Sequence, residues 1–336
     1  MKYNIYDVAK KAGVSIVTVS KVINNSQTVR ENNRQKVLQA MKELNYNPSA
    51  AARSLASGRT GTIGLLIDNL SDTFLSSALS AINEYLEDNG YFLALSLIQP
   101  NKVNNNIPFL FQQDRVDGLL IVSPVCEEMY ILDLKGKKIP FVLLDNQKLH
   151  PSIPSVIVNN YKGGYDATRH LLELGHKRIL HISGPELYMS SIDRESGYKA
   201  AMQDAGLESH IINSSEFSIA HGYEIAMQLI NENKLDKFTA IFAADDYIAL
   251  GVIDAFKNEN IKVPADISVI GYDDQELASS FHPGLTTIRQ PAKEMGRMGA
   301  EILLKIIRGE VKRYNTIKLD PNLVIRESTA APKLNI

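Results

Sequence analysis

Apolar side chains recur at helical spacing in the first part of the chain. In residues 5–12 they fall three or four positions apart, and Gly13 follows where a tight turn is needed. Ser15 is a suitable N-cap for a second helix that extends to about Asn24, and a third helix is predicted for residues 31–44. Three short helices, the first two of which are joined by a glycine turn, form a helix-turn-helix unit.

The second of these helices is poor in large core residues. Its outer face presents small, hydroxyl-bearing, aliphatic and basic side chains, namely Ser15, Ile16, Val17, Thr18, Ser20, Lys21 and Asn24. In a helix-turn-helix protein the second helix enters the major groove, where small residues allow close approach to base edges and polar groups reach phosphates. The pattern therefore predicts double-stranded DNA as a partner.

Before the third helix, the sequence contains a possible capping box, which would begin the helix a few residues before residue 31. Thr28 and Glu31 have the spacing at which a threonine hydroxyl and a glutamate carboxylate bond to each other's backbone N–H groups. We therefore expect these two side chains to begin the helix together.

Residues 47–58, NPSAAARSLASG, form a short segment with helix signals at both ends. Pro48 and Ser49 suit a helix start, the alanines favour helix, and Gly58 suits its end. About nine residues are too few for a stable isolated helix, so we expect a helix that forms when a partner supplies contacts. Leu55 is its one large apolar side chain, and composition leaves open whether it contacts that partner or packs on the rest of the protein.

From Thr60 onward, apolar strands alternate with amphipathic helices. The strands are predicted at 62–68, 91–98, 117–123, 140–145, 155–159, 178–183, 239–244, 267–273 and 322–325. The helices are predicted at 74–89, 161–174, 190–205, 220–233, 246–259 and 292–308. This alternation is typical of parallel sheets covered on both faces, so the predicted fold class is α/β, with two doubly wound parallel-sheet subdomains behind the three helices.

Charge is unevenly distributed along the 336 residues. Residues 1–60 contain ten Lys and Arg against three acidic side chains, or +7, whereas the formal net charge of the whole chain is −2. A basic N-terminal segment followed by an acidic remainder is typical of a protein that contacts nucleic acid through that segment. No stretch approaches the roughly 18 apolar residues of a membrane span. The single cysteine, Cys126, suits a reducing compartment, so we expect a cytoplasmic protein.

Polar side chains follow several predicted strands, at the sheet edge where open parallel sheets bind ligands. They are Asp68, Ser123, Asp145, Asp245 and Asp273. Arg194 begins a helix after one such strand, and Phe217 lies in a short apolar patch. Carboxylates accept hydroxyl groups and aromatic rings cover C–H faces, so the set predicts a sugar site. Each aspartate taken singly also suits a helix N-cap.

Motifs of the common enzyme classes are not found. There is no Gly-x-Ser-x-Gly elbow, no Walker loop and no Gly-x-Gly-x-x-Gly after a predicted strand. The pairs Asp245-Asp246 and Asp273-Asp274 follow strands, where adjacent side chains point apart, so neither forms a ready two-carboxylate centre. The sequence predicts a binding protein rather than an enzyme, with no cofactor and no metal.

Several stretches together resemble the lactose/galactose repressor family of bacterial transcription regulators. They are DVAKKAGVSIVTVSKVIN, LNYNPSAAARSLASGRTGTIGLLI, DATRHLLELGHKRILHISGP, AADDYIALG, VIGYDD and LTTIRQP, which follow in family order. The resemblance implies a DNA-binding headpiece, a hinge and an effector-binding core, over residues 1–46, 47–60 and 61–336.

Within the core, the resemblance implies two subdomains similar to those of periplasmic sugar-binding proteins. The N-terminal subdomain takes about 61–159 and 290–319, and the C-terminal subdomain takes about 160–289 and 320–336. The two half-sites of a palindromic operator imply a two-fold homodimer. Effector in the cleft is expected to change the angle between the subdomains, and with it the spacing of the two hinges.

The resemblance also assigns roles to individual residues. Those placed at DNA are Ser15, Ile16, Val17, Thr18, Lys21 and Asn24 on the recognition helix and Ala52 and Leu55 on the hinge. Leu55 falls on the leucine that the family inserts into the minor groove, which favours the DNA contact for this side chain. Those placed at the effector pocket are Phe74, Ser123, Asp145, Arg194, Phe217, Asp245 and Asp273.

Within this set, four residues together resemble the pocket of pentose-binding members, so the expected effector is ribose or another pentose; they are Phe74, Arg194, Phe217 and Asp273. We expect a repressor of carbohydrate-utilisation genes that this sugar controls. Two alternatives stay open. A sugar-binding receptor without DNA activity shares the core but has no use for residues 1–60, and a regulator controlled by a phosphocarrier protein shares the whole chain.

Overall fold

The computed structural model describes residues 3–23, 26, 28–46, 59–67, 73–97, 115–122, 127–146, 150, 152–311 and 315–333. Among the residues that the sequence places at binding sites, those outside these ranges are Asn24, Ala52, Leu55, Asp68 and Ser123. Within the described ranges, three N-terminal helices precede two parallel sheets flanked by helices, which confirms the predicted α/β fold class. None of the described helices is both long enough and apolar enough to cross a membrane.

The N-terminal unit consists of three helices, α1 (Ile5–Ala12), α2 (Ile16–Ile23) and α3 (Glu31–Glu43). Gly13 joins the first two with a φ of 64°, a left-handed conformation that side chains disfavour. Val8, Val19 and Val37, one from each helix, are fully buried against one another. The predicted helix-turn-helix arrangement is therefore formed around a small aliphatic core.

The predicted capping box at the start of α3 is wrong. Arg30 occupies the N-cap position, and no side chain bonds the first backbone N–H groups of the helix. The hydroxyl of Thr28 instead lies 2.9 Å from that of Ser26, and the Glu31 carboxylate accepts a bond from Gln35 Nε2 at 2.7 Å. Both side chains therefore bond to other side chains and not to the backbone at the helix start.

The strands of the core are numbered along the chain. They are β1 (Thr62–Ile67), β2 (Phe92–Leu97), β3 (Gly118–Val122), β4 (Phe141–Leu144), β5 (Ser155–Val158), β6 (Ile179–Ser183), β7 (His210–Asn213), β8 (Ala240–Ala243), β9 (Ser268–Ile270), β10 (Thr287–Arg289), β11 (Ile317–Leu319) and β12 (Asn322–Val324). The core helices are α4 (Thr73–Asp88), α5 (Glu127–Lys137), α6 (Asn160–Glu173), α7 (Met189–Asp204), α8 (Ile219–Asn231), α9 (Asp246–Asn258), α10 (Glu276–Ser280) and α11 (Ala292–Ile307).

The first sheet has six parallel strands in the spatial order β2-β1-β3-β4-β5-β11. Alternate residues of β1 pack on opposite faces. Ile63 and Leu65 join a cluster with α4 and α11, whereas Leu66 joins a cluster with α5. Because both faces are buried, the apolar residues of the strand follow one another without polar interruption.

The second sheet has four parallel strands in the order β7-β6-β8-β9. Helices α6 and α7 pack on one face and α8 and α9 on the other. An antiparallel pair, β10 with β12, adjoins it through bridges from Ile270 to Thr286 and from Asp273 to Arg289. The sheet therefore has the doubly wound form that the sequence predicts.

The described elements that lie outside the predicted ranges are α5, β7, α10, β10, β11 and a 3₁₀ helix, Leu235–Lys237. Most of them are short, and the strands among them have only three or four residues and lie at sheet edges or in the two-stranded pair. At such lengths neither helical nor strand periodicity becomes visible.

The chain passes between the two sheets three times, after β5, after β10 and after β11. Asn159, on the first passage, donates from Nδ2 to Asp320 Oδ1 on the third at 2.9 Å. The first and third passages therefore lie side by side. The limits given above for headpiece, hinge and the two subdomains remain a prediction.

Candidate functional site

The outward face of α2 carries the described residues that the sequence places at DNA. Ile16 and Val17 are 39% and 64% exposed, and Lys21 beside them is also exposed. Ser15 Oγ accepts the backbone N–H of Thr18 at 3.2 Å, so Ser15 caps the helix as predicted. Adjacent aliphatic side chains next to a basic one suit apolar contact with thymine methyl groups and ionic contact with phosphate.

Arg194, on α7, is the polar centre of the core. Its side chain is buried and donates from Nε to Asn160 Oδ1 at 3.0 Å and from one terminal nitrogen to the carbonyl of Ala244 at 2.7 Å. The other terminal nitrogen lies 3.2 Å from Asp273 Oδ1. The guanidinium also stacks on the Tyr272 ring, 3.7 Å from its centroid. The planar group is therefore fixed in orientation by several elements at once.

Arg194 keeps its charge in this buried position because carboxylates surround it. Burial alone lowers the pKa of a guanidinium, but the charge of Asp273, with further contributions from Asp145 and Asp245, raises the pKa of Arg194 overall. The same environment raises the pKa of the buried Tyr272 hydroxyl, chiefly through desolvation. Arg194 thus stays a cation and Tyr272 stays a neutral ring beneath it.

Asp273 follows β9 in a loop of unusual backbone conformation. Its φ is 106°, and that of Asp274 is 57°, both in the region that side chains disfavour. Asp273 Oδ1 accepts a bond from Gln290 Nε2 at 2.5 Å in addition to its ion pair with Arg194. Arginine, carboxylate and amide therefore form one hydrogen-bonded cluster.

A cleft of about 560 Å³ opens beside this cluster. Phe74, Ser76 and Ser77 of α4 line one part of it, and residues 273–276 and 289–294 line the rest. Its charged lining consists of four carboxylates and two cations, from Asp273, Asp274, Glu276, Glu294, Arg289 and Lys293. The lining is thus net negative and rich in hydrogen-bonding groups, a combination that suits a neutral polar ligand more than an anion.

The other residues predicted for the pocket have different positions. Asp245 is buried and its Oδ1 accepts the N–H of Ile248 at 2.8 Å, so it caps α9, the alternative noted for a single aspartate. Asp145 is half-buried and acts electrostatically on Arg194. The Phe217 ring lies tilted against the Tyr188 ring, with 5.6 Å between the ring centroids, and Phe217 is not among the cleft-lining residues. The cleft therefore brings together Phe74 and Asp273 directly, with Arg194 behind Asp273.

Two glutamines that line the cleft are not among the pocket residues predicted from the sequence. Gln275 and Gln290 are 6% and 8% exposed, and the side-chain carbonyl oxygen of each has no hydrogen-bond partner within the described structure. Such buried acceptors cost free energy unless a ligand or water satisfies them. Gln275 follows the motif VIGYDD and Gln290 lies within LTTIRQP, but single glutamines carry no periodic signal.

Known proteins share both parts of this chain. Residues 4–49 match the family described as bacterial regulatory proteins, lacI family, and residues 168–329 match the periplasmic binding protein-like domain. The HTH-type transcriptional repressor PurR of Photobacterium profundum is 37% identical over 329 residues, which cover 96% of this chain and 98% of that protein.

Solved structures show the same likeness. The lac repressor dimer bound to operator and the anti-inducer ONPF has a TM-score of 0.86 and 31% identity, over 98% of this chain and 100% of that one. A LacI family transcriptional regulator from Enterococcus faecium with bound ribose has a TM-score of 0.71 and 28% identity, over 81% and 100%. The alternative of a sugar-binding receptor without DNA activity is therefore excluded. The chain belongs to the lacI family of bacterial regulatory proteins: it is a DNA-binding transcriptional repressor and not an enzyme, acts as a dimer on operator DNA, and carries a core that binds a small-molecule effector.

Proposed function

We propose that the effector is a small neutral sugar, ribose or another pentose, which binds in the cleft and controls operator binding. The cluster of Arg194, Asp273 and Gln290 carries this proposal, because it places a carboxylate and an amide at the wall of the cleft. Carboxylate and amide oxygens accept hydrogen bonds from sugar hydroxyls. Phe74 in the same lining offers an aromatic surface for the C–H face of a sugar ring.

The charges of the cleft support a neutral ligand over a phosphorylated one. The guanidinium of Arg194 already pairs with Asp273, and carboxylates outnumber cations in the lining. A phosphate group would meet this net negative field without a buried cation left to neutralise it. We therefore expect free sugars to bind more tightly than their phosphates.

Two known relatives suggest different effectors, and both enter the test. The Enterococcus faecium regulator was solved with bound ribose, which supports a pentose. The relatives named PurR make a purine the second candidate, because one of them is similar over nearly the whole chain. A phosphocarrier protein is a third class of effector for which the described residues offer no specific feature.

We place the operator contacts on α2 and on the hinge. Ser15, Ile16, Val17, Thr18 and Lys21 are supported by their position on or beside the exposed face of α2. Asn24, Ala52 and Leu55 rest on the family resemblance alone. We propose that the protein acts in the cytoplasm, where its DNA is, and represses genes of carbohydrate utilisation.

A thermal-shift panel tests the effector class on the purified full-length protein. The panel contains ribose, other pentoses, hexoses, their phosphates, purine bases and nucleosides. A ligand at about 100 times its dissociation constant stabilises the native state by about 2.7 kcal/mol, which gives a clear shift. A selective pentose shift supports the proposal. A selective purine shift, or a flat panel with an operator affinity that responds only to a phosphocarrier protein, overturns it.

Two variants separate the effector site from the operator site. D273N keeps the size of the side chain but removes the charge that pairs with Arg194, so the ribose shift should disappear while operator affinity stays. D236N, at an exposed aspartate, is its control. Leu55→Ala should weaken operator binding and leave the ribose shift unchanged. An L55A protein with wild-type operator affinity would refute the hinge assignment.

A further inference from the structure

Asp246 is a fully buried carboxyl group that lies outside the lining of the cleft. It is the first residue of α9, and its Oδ2 accepts the backbone N–H of Gln275 at 2.7 Å. Its Oδ1 accepts the hydroxyl of Thr287 at 2.6 Å. A buried carboxylate is costly to place, so these two bonds indicate a specific task for it.

The Thr287 hydroxyl links this carboxylate to the backbone of a second loop residue, Asp274. While it donates to Asp246, it accepts the backbone N–H of Asp274 at 3.4 Å. Asp246 therefore holds the N–H groups of two successive residues, one directly and one through Thr287. Both belong to the loop of residues 273–275, which follows β9 and lines the cleft.

This loop needs such support because its backbone is strained. Asp273 and Asp274 have φ values of 106° and 57°, and a residue with a side chain adopts such a conformation only at a cost in free energy. They persist only where surrounding contacts over-determine them. Burial, together with the charges of Asp273 and Asp245, raises the pKa of Asp246, and the two hydrogen bonds oppose that rise.

We propose that Asp246 is a positioning residue of the effector site, which holds the loop 273–275 in the conformation that turns Asp273 and Gln275 to the cleft. The surroundings leave the carboxylate little freedom, since a Cβ on Gly271 would lie 2.3 Å from Asp246 Oδ1. The role in effector binding rests on the proposed function of the cleft, whereas the role in holding the loop does not.

Hydrogen exchange tests the positioning without any ligand. In D246N, an amide NH₂ replaces one acceptor oxygen, so it cannot satisfy both donors, and the segment 272–277 should exchange at least about tenfold faster than in the wild type. D254N, at a half-buried aspartate of the same helix, should leave that segment unchanged. Wild-type exchange of 272–277 in D246N overturns the proposal.

Substitutions of Thr287 provide the second variant, in case D246N fails to fold. T287V is isosteric but lacks the hydroxyl, so it should also loosen 272–277. T287S keeps the hydroxyl and should restore slow exchange, although both variants alter the packing of a fully buried position. Equal exchange in T287V and T287S overturns the proposal, because a purely packing role does not depend on the hydroxyl.

Titration with D-ribose then tests the consequence for binding. T287V and D246N should bind ribose roughly ten- to hundredfold more weakly than T287S and D254N, the loss expected for buried charge-assisted bonds. Equal ribose affinity in D246N and D254N overturns the role in the effector site. If the wild type itself does not bind ribose, the proposed function fails, and the exchange results alone decide whether Asp246 positions the loop.

Discussion

Asp117 binds the backbone of Thr60 at the point where the chain enters the core. Asp117 Oδ1 accepts the N–H of Thr60 at 2.7 Å and its hydroxyl at 3.0 Å, and Oδ2 accepts the N–H of Gly61 at 2.9 Å. Asp117 directly precedes β3 of the first sheet, and the predicted hinge ends at Thr60. This carboxylate therefore connects the last residue of the predicted hinge to the first sheet.

Replacing Asp117 should therefore uncouple the hinge from the core. Asp117→Ala leaves two backbone N–H groups without this acceptor, and we expect operator affinity to fall about tenfold while the thermal shift with effector is retained. Operator titration by fluorescence anisotropy measures the loss. Asp88→Ala removes an exposed carboxylate of α4 in the same sheet unit and serves as control. Equal operator affinities of the two variants would show that the hydrogen bonds from Thr60 and Gly61 to Asp117 have no role in operator binding.

Arg194 should be critical for stability as well as for effector binding. Arg194→Met keeps the volume of the side chain but leaves Asp273 and Asn160 without their buried partner, so unfolding should become easier by about 3–5 kcal/mol. Urea unfolding followed by circular dichroism measures the change. Arg169→Met removes an arginine whose side chain is 56% exposed and should cost less than about 1 kcal/mol. A similar small loss in both variants would contradict the central role of Arg194.

Lys21 is predicted to contact the operator backbone or a base from the exposed face of α2. Lys21→Ala should lower operator affinity, and if the contact is to phosphate, the slope of log affinity against log salt should decrease by about 1. Lys36→Ala removes another exposed lysine, from α3, and controls for the general charge of the N-terminal helical unit. A slope that changes equally in both variants argues against a specific contact by Lys21.

His181 should make the stability of the second sheet sensitive to acid. The ring is fully buried between Tyr198 and Phe242, and its Nδ1 lies 2.9 Å from the carbonyl of Phe242, so this nitrogen carries the proton and donates. Desolvation lowers the pKa of His181 to about 4, below the value of about 6.5 in an unfolded chain. As pH falls from about 6.5 to about 4, the unfolded chain takes up this proton first, and stability is lost by up to about 1.4 kcal/mol per pH unit.

Urea unfolding at several pH values tests that dependence. His181→Phe keeps a ring in the stack and should reduce the loss of stability between pH 6.5 and 4, although it also loses the bond to the Phe242 carbonyl. Burial lowers the pKa of His170 and His176 as well, so part of the dependence should remain. His282→Phe, at an exposed position, is the control. A wild-type pH dependence in H181F would exclude His181 as a source.

Local patterns in the sequence are sufficient to predict most of the fold. The helical spacing of residues 5–12 and the turn at Gly13 determine the headpiece because their signals are contained within a few neighbouring positions. The continuous apolar character of β1 follows from its burial on both faces. Both features can be predicted because the signals lie within the residues of each segment itself.

The details of the cleft depend on contacts between distant segments and could not be predicted in the same way. Gln290 matters because β10 ends beside Asp273, and Asp246 matters because the loop after β9 turns back over α9. The side chains of the adjacent residues Asp245 and Asp246 bond to different partners, as expected for neighbouring side chains that point apart after a strand. Asp245 caps α9, whereas Asp246 bonds the loop. The conformation of Asp273 with a positive φ has no sequence signal, because aspartate adopts it here only under tertiary constraint.

The three passages of the chain between the sheets also bear on how the protein is made. Strand β11 adds the last edge of the first sheet and β12 completes the pair beside the second, and both lie within residues 317–324. During synthesis, the first sheet cannot gain its last edge strand until residue 319 has left the ribosome, and the pair beside the second sheet cannot form until residue 324 has done so. The two halves therefore mature together near the end of translation, and a chain interrupted before residue 317 would leave both unfinished at once.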